Sequence, residues 1–241
     1  MSLKRVWIGS PNKSSRSGSV RLVVVHTAEG ARSFRDLGSF FSNSSAQVSS
    51  HTGIDNERGT IGEYVKRPDK AWTQSSYNSM AISTELCGAP FDTSQPCGAN
   101  WSSAEWNAHD AMLANLADWI REECHYFGLP ITKLSASQAQ GSGKGVCGHV
   151  DLGAGGGGHW DPGPNFPWSR VMEMARTGTD APPTKPEQPK SVDDQLVLVR
   201  KANGALETFV ELPDGEVQHR WQPKENAGEW SDWQSMGTPG E

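Results

Sequence analysis

The 241-residue chain lacks a long hydrophobic run, and no stretch approaches the roughly 20 apolar residues that a membrane-spanning helix needs. It also lacks an excess of positive charge, because 22 Lys and Arg residues against 28 Asp and Glu residues give a net charge of −6. That balance argues against a nucleic-acid partner held by phosphate neutralisation. We therefore expect no membrane span and no nucleic-acid partner.

The first eight residues reach polar side chains too soon for the apolar segment of a signal peptide. We therefore expect synthesis in the cytoplasm without a signal peptide. If the protein acts outside the cell, a separate process has to release it.

Cysteine is scarce, with four residues in the whole chain: Cys87, Cys97, Cys124 and Cys147. They lack the paired two-residue spacing of a structural zinc site, and they are too few to stabilise a domain of this size through disulfide bonds. Buried free thiols are therefore expected. Cys87 and Cys97 flank a loop rich in Gly and Pro and are the better candidates for a disulfide, but the sequence leaves open whether they pair.

The first 176 residues alternate between strand and helix patterns. The β-branched run at 22–25 predicts a buried strand that ends at His26, and residues 81–86 predict another that carries Glu85. An apolar stripe predicts a long helix from 103 to about 125, and a short helix is expected at 169–175. This order predicts an α/β domain with a mixed central sheet flanked by helices.

Residues 177–192 predict a linker, because four prolines stand among polar residues that cannot build a core. From 193 to 241, four short strand patterns alternate with turns, and the Asn-Gly at 203–204 and Asp-Gly at 214–215 are strong hairpin signals. This predicts a small all-β module of about one propeller blade, which has roughly 40–45 residues. Since one blade cannot bury both faces alone, self-association is a possible outcome.

Two histidines and an aspartate, His149, His159 and Asp161, gather around a glycine-rich loop, and His26 ends the first buried strand. A lone histidine at a strand end is usually structural, but the set matches the neutral imidazoles and carboxylate that hold a catalytic zinc ion. We predict His26, His149 and Asp161 as the zinc ligands, because the glycines between the last two let the loop fold back. His159 competes with Asp161, since alternate residues of an extended segment face the same side, and spacing alone does not settle the choice.

Five segments carry a family resemblance: VHTA at 25–28, SHTGID at 50–55 with GTI at 59–61, STEL at 83–86, GHVD at 148–151, and DPGPNFPW at 161–168. Taken in order, they resemble the successive motifs of type 2 N-acetylmuramoyl-L-alanine amidases, a family that includes peptidoglycan recognition proteins and many phage endolysins. The resemblance covers residues 6–176.

The resemblance implies zinc held by His26, His149 and Asp161, and hydrolysis of the amide that joins N-acetylmuramic acid to L-alanine. It also implies that Glu85 is the catalytic glutamate. His159 stands where the family usually has a lysine, and as a second catalytic residue it would donate to a developing oxyanion with a charge that depends on pH.

The pattern departs from one branch of the family at Ser50, where phage lysozyme-like members carry a tyrosine, so a tyrosine-assisted mechanism is not expected. His51, Trp72 and Trp160 are the expected substrate contacts. Aromatic rings suit stacking on sugar or peptide, although core packing explains Trp72 equally well.

The C-terminal segments ANGALETF at 202–209, HRWQ at 219–222 and WSDW at 230–233 resemble a blade of tachylectin-like or fucose-lectin-like β-propellers. This implies carbohydrate binding by Trp221, Trp230 and Trp233. The alternative is that these rings only pack the blade.

Together, these features predict a zinc-dependent peptidoglycan hydrolase of the phage endolysin type. Its expected partners are bacterial peptidoglycan and cell-wall glycans, and it is expected to act on the wall after release from the host cytoplasm. The alternatives are a peptidoglycan-binding protein without catalysis and a zinc endopeptidase that cuts within the stem peptide.

Overall fold

The computed structural model describes residues 3–28, 30–88, 101–178, 197–211, 217–224 and 230–237. The chain divides into two compact units, Met1–Pro183 and Thr184–Glu241. Nearly all of the expected linker at 177–192 lies outside the described residues, so its boundaries stay a prediction. Within the described ranges, no helix has both the length and the apolar character needed to cross a membrane.

The described residues of the first unit form eight strands: β1 (Lys4–Trp7), β2 (Lys13–Ser15), β3 (Leu22–Thr27), β4 (Thr52–Ile54), β5 (Thr60–Glu63), β6 (Asp69–Ala71), β7 (Ala81–Leu86) and β8 (Gly145–Gly148). Six of them form one sheet in the order β1-β5-β4-β7-β3-β8, and β2 pairs with β6 separately. Strands β4, β7, β3 and β8 run parallel, whereas β5 is antiparallel to β4 and parallel to β1. The expected mixed central sheet is confirmed.

In the part of this unit that the structure describes, five α-helices accompany the sheet: α1 (Phe34–Phe41), α2 (Ser103–Asn107), α3 (Asp110–Phe127), α4 (Ala136–Gln140) and α5 (Trp168–Thr177). The single helix predicted from 103 is in fact two, α2 and α3. The break falls at His109, whose backbone (φ −102, ψ 46) is not helical. Its ring Nδ1 donates to the Glu105 carbonyl at 2.8 Å, which gives the chain a local alternative to the helical hydrogen bond.

Alternation along β3 directs its side chains to two faces of the sheet. Val23 and Val25 join the main core, which includes Leu116 and Ile120 of α3. Leu22 and Val24 point the other way, into a smaller apolar cluster with residues of β8 and α4. By the same alternation, His26 shares the face of Leu22 and Val24, at the carboxyl end of the strand.

The cysteines fit the expectation of buried thiols, since Cys87, Cys124 and Cys147 are free and buried. Cys97, the other candidate for a disulfide with Cys87, lies outside the described residues.

Four strands lie within the described ranges of the second unit: β9 (Val197–Arg200), β10 (Leu206–Glu211), β11 (Val217–Trp221) and β12 (Gln234–Gly237). They form an antiparallel sheet in the order β12-β11-β10-β9. The turn between β9 and β10 contains Gly204 at φ +82, a conformation that suits glycine. The expected small all-β module is confirmed, and its edge strand β9 exposes Val197, Leu198 and Val199.

Candidate active site

Two imidazoles meet at the carboxyl edge of the parallel strands. His26 lies at the end of β3 and His149 directly follows β8, and their ring centroids are 4.3 Å apart. Asp161 joins them from the following loop, with one carboxylate oxygen 3.5 Å from His26 Nδ1 and the other 3.1 Å from His149 Nδ1. Among the described residues, these three form a buried group whose candidate ligand atoms lie within 4.8 Å of one another. His159 is not part of it.

The glycine-rich segment explains how Asp161 returns to His149. The chain turns through two short 3-10 helical pieces, with Gly153 at φ +56 and Gly157 at φ +107. Only glycine adopts these left-handed conformations readily. The loop then closes through a hydrogen bond from the Val150 amide to the Asp161 carbonyl at 2.9 Å.

The electrostatics of the group suit a metal cation. Burial, with a further contribution from His149, lowers the pKa of His26 to about 3, so its ring is neutral at physiological pH. Burial by itself would raise the pKa of Asp161, but the close contacts with His149 and His26 lower it overall. A neutral imidazole and an ionised carboxylate are the forms that bind zinc.

The outer nitrogens of the two rings differ in their contacts. His149 Nε2 donates to the Gly156 carbonyl at 2.7 Å, which leaves Nδ1 with its lone pair towards Asp161. His26 Nε2 is buried and has no hydrogen-bond partner within the described ranges. Three donor atoms of the right chemistry, converging inside the fold, fit a zinc ion with an open fourth position.

Glu85 stands next to His26 across the sheet. The two residues are register partners on β7 and β3, so their side chains emerge on the same face of neighbouring strands about 4.8 Å apart. The Glu85 side chain is partly exposed, unlike the buried group of three. The structure therefore places Glu85 beside His26 at the carboxyl edge of the sheet.

His159 and Trp160 cover the loop side of the site. The His159 ring stacks on the ring of His149, with centroids 4.4 Å apart and an interplanar angle of 12°. Trp160 lies beyond it, 6.3 Å from the His159 ring, and is 50% exposed. The structure therefore places both rings beside the buried group of three.

The other two expected substrate contacts, His51 and Trp72, are more buried than Trp160. His51 is 1% exposed, and its Nε2 lies 2.9 Å from an Arg16 guanidinium nitrogen while the Ser83 amide donates to Nδ1 at 3.1 Å. The Trp72 indole N–H donates to the Ser14 hydroxyl at 3.1 Å. The structure thus places His51 behind the site, in a polar network, and not on an open surface.

Arg16 was not anticipated from the sequence. Its guanidinium donates to several backbone carbonyls, including those of Ala81 and Asp69 at 2.9 and 2.8 Å, as well as facing His51. Arg16 stands in a Ser- and Gly-containing segment, and no local pattern marks it. Only closure of the loops around it creates these acceptors.

In the second unit, the predicted carbohydrate-binding tryptophans lie against cationic side chains. The Arg220 guanidinium lies between Trp230 and Trp233, 5.1 and 4.7 Å from their ring centroids. Trp221 contacts the ring of His219 and the ammonium group of Lys201. Cation–π contacts of this kind contribute about 0.5–1 kcal/mol each at exposed sites.

A buried His–His–Asp group at the carboxyl edge of a mixed sheet is a site type that metal-dependent hydrolases use. Residues 16–164 match the family model described as N-acetylmuramoyl-L-alanine amidase, and the chain belongs to that family. The protein is an enzyme, a peptidoglycan amidase.

One relative supports the same class, and one solved structure shares the fold. The N-acetylmuramoyl-L-alanine amidase A of Achromobacter lyticus is 29% identical over 183 residues, which cover 73% of this chain and 96% of that protein. The crystal structure of the Staphylococcus aureus hydrolase AmiA in complex with its ligand aligns over 76% of this chain and 88% of that chain, with 18% identity and a TM-score of 0.52. At that identity, the second similarity shows a shared fold.

Proposed function

We propose that the protein is a zinc-dependent amidase that cleaves the bond between N-acetylmuramic acid and L-alanine in bacterial peptidoglycan. The observation that carries this proposal is the buried convergence of His26, His149 and Asp161. Family membership supplies the class of bond, and the chemistry of the donor set favours zinc.

Each residue then has a distinct task. Bound at the three donors, zinc would supply Lewis-acid chemistry that polarises the scissile carbonyl and makes a water molecule more acidic. Glu85, beside His26, would accept the proton of the attacking water and pass it to the leaving amine. His159, stacked on His149, would donate to the oxygen that gains negative charge, and the exposed Trp160 ring would pack against the sugar or the peptide.

Product analysis tests the bond and the metal together. Purified cell walls are digested with the protein, with the protein treated with a chelator, and with treated protein supplemented with zinc, and the fragments are identified by mass spectrometry. We expect new L-alanine amino termini in the first and third samples. Other amino termini would support cleavage within the stem peptide instead, and unchanged products after complete metal removal would refute zinc dependence.

The role of Glu85 is tested by Glu85→Gln, which keeps the shape and removes the base. Turnover should fall roughly 100-fold or more, the usual scale for a general acid–base residue, while zinc content stays unchanged. Glu173→Gln is a matched control, because Glu173 is partly exposed on α5 and its ion pair is with Arg176. Near-normal turnover of the Glu85 variant would return this residue to a structural role.

We further propose that the second unit binds cell-wall glycans and that the whole protein is an endolysin. Support comes from its separate sheet and from indole rings held at its surface by cationic neighbours. Replacing Trp221, Trp230 and Trp233 by alanine in the full chain should reduce sedimentation with walls but leave cleavage of soluble muropeptides intact. Sedimentation equal to the parent protein would reject the binding role.

The endolysin role predicts dependence on a separate release step. Expression inside a susceptible bacterium should leave the culture intact until a membrane-permeabilising protein is co-expressed, and lysis should then follow. The Glu85→Gln variant is the control for lysis by the permeabilising protein alone. Lysis without permeabilisation would contradict the proposed route.

A further inference from the structure

Asp151 ends the GHVD segment at 148–151 but is not one of the residues that converge on the candidate metal site. One of its carboxylate oxygens accepts from the Gly148 backbone amide at 2.7 Å and from the Lys133 ammonium group at 2.9 Å. The two side chains are 15% and 26% exposed, so the ion pair is largely shielded from water. A hydrogen bond to an ionised group is stronger than one between neutral groups, and Asp151 makes two of them.

Lys133 belongs to a segment that is docked on β8. The Val146 amide donates to the Thr132 carbonyl, and the Leu134 amide donates back to the Val146 carbonyl, both at 2.8 Å. The Lys133 ammonium group also donates to the Leu134 carbonyl at 2.6 Å. The ion pair therefore ties the turn after β8 to a neighbouring segment that backbone hydrogen bonds already hold in place.

The turn that Asp151 holds carries one candidate metal ligand and contacts a second. His149 lies inside the turn, between Gly148 and Asp151. The next amide, that of Val150, donates to the Asp161 carbonyl at 2.9 Å. The placement of both ligands therefore depends on the backbone of this one turn.

Close packing at Gly148 adds a second link between the same two segments. A Cβ at this position would lie 2.7 Å from Pro162 Cδ, which is too close for a real side chain. Glycine is therefore required for the chain that follows Asp161 to approach this backbone. Since the Asp151 carboxylate binds the amide of that glycine, it fixes the surface on which the Asp161 segment packs.

We propose that Asp151 is a positioning residue for the candidate zinc site, because it fixes the turn that carries His149 and contacts Asp161. Among the described residues, its carboxylate bonds to a backbone amide and to an ammonium group, so its effect on the ligands passes through the backbone. Lys133 keeps the carboxylate in place. This inference rests on the zinc site of the proposed function, and groups that orient metal ligands from outside the ligand set commonly change metal affinity.

Zinc affinity of the metal-free protein, measured by competition with a chromophoric chelator, is the direct test. Asp151→Ala should bind zinc about 10-fold more weakly or worse, because the ligands lose their fixed positions. Asp151→Asn keeps an oxygen that can accept from the Gly148 amide and should recover part of that affinity. Lys133→Met should fall between Asp151→Ala and the parent. Urea unfolding establishes that each metal-free variant is folded under the conditions of the assay.

Glu122→Ala is a matched control. Glu122 also accepts from one backbone amide, that of Leu3 at 3.0 Å, and pairs with one cation of β1, Arg5 at 2.8 Å. Its side chain is 25% exposed, and β1 lies at the opposite edge of the sheet from β8. Both alanine variants should lose unfolding free energy, since each removes a charged hydrogen-bond acceptor, but only Asp151→Ala should lose zinc affinity. Loss of stability in Asp151→Ala with zinc affinity equal to the parent would make Asp151 a merely stabilising residue and overturn the inference.

Hydrogen exchange of the metal-free proteins gives a readout that does not need zinc. The Val150 amide should exchange faster in Asp151→Ala than in the parent, because the turn no longer holds it against the Asp161 carbonyl. The Val146 amide on β8 should keep its rate, and Glu122→Ala should change neither. An unchanged Val150 rate in Asp151→Ala would overturn the inference. If the parent binds no zinc but its Val150 amide responds in this way, the proposed zinc function fails while the role of Asp151 in holding the turn stands.

Discussion

Mild acid should destabilise the metal-free protein because His51 is buried as a neutral ring. Burial, and next the charge of Arg16, lower the pKa of this histidine to about 3, although the Asp69 carbonyl acts in the opposite direction. The Arg16 nitrogen 2.9 Å from Nε2 and the Ser83 amide 3.1 Å from Nδ1 place donors against both ring nitrogens, so a protonated ring meets unfavourable contacts there, which the Asp69 carbonyl 3.3 Å from Nε2 offsets in part. Protonation of His51 is therefore coupled to unfolding.

The sign and size follow from the two pKa values. An unfolded histidine titrates near 6.5, so between pH 6.5 and 3 the unfolded chain binds a proton that the folded chain does not. The stability contributed by the neutral ring is complete above pH 6.5 and is lost as the pH falls towards 3. At about 1.4 kcal/mol per pH unit, roughly 3 kcal/mol of this stability is lost when the pH reaches about 4.5.

Urea unfolding of the chelator-treated protein, followed by circular dichroism from about pH 7 to about pH 4.5, measures this slope. His51→Gln should reduce the dependence of unfolding free energy on pH by about 1.4 kcal/mol per unit. His26 contributes its own slope to both proteins and cancels in the comparison. His125→Gln, at an exposed position on α3, should leave the slope unchanged. Equal slopes for the parent and His51→Gln would refute the reasoning.

Three further predictions concern the metal and the two units. Purified protein should carry about one zinc ion per chain by elemental analysis. The variants His26→Ala, His149→Ala and Asp161→Ala should each lose both metal and activity. The variant His159→Ala should keep the metal. A chain ending near Thr179 should fold and cleave soluble muropeptides. In turbidity assays it should lyse intact walls more weakly than the full chain, because tethering raises the enzyme concentration at an insoluble substrate. The isolated segment from Asp193 should self-associate or melt without sharp cooperativity, because its edge strand exposes apolar side chains. A segment that is monomeric by sedimentation and melts sharply by calorimetry would contradict this prediction.

Local patterns predict the elements that local physics determines. The apolar run of β3 could only be a buried strand, and the glycines after His149 indicated a loop able to reverse direction. The break between α2 and α3 was missed because an apolar stripe continues through it, and a side-chain hydrogen bond at His109 decides the outcome. Hydrophobic periodicity carries no information about a side chain that competes for a helical hydrogen bond.

A supporting residue of the site was missed for a different reason. Arg16 acquires its role only when loops distant in sequence close around it. Its guanidinium faces carbonyls that lie 51 to 65 positions away. Arginine is not rare near loops, so this role becomes visible only in three dimensions.

The catalytic face itself is determined by apolar residues that never meet a substrate. Val23 and Val25 on β3, and Ile82 on β7, fill the main core from one side of the sheet. Because side chains alternate, this burial forces His26 and Glu85 onto the opposite side, next to each other in the β3–β7 register. A slip of one residue would exchange the two sets and bury carboxylate and imidazole among aliphatic groups, at a cost that far exceeds any local preference. The hydrophobic pattern therefore specifies the positions of the proposed acid–base residue and of one candidate metal ligand, although neither belongs to the apolar core.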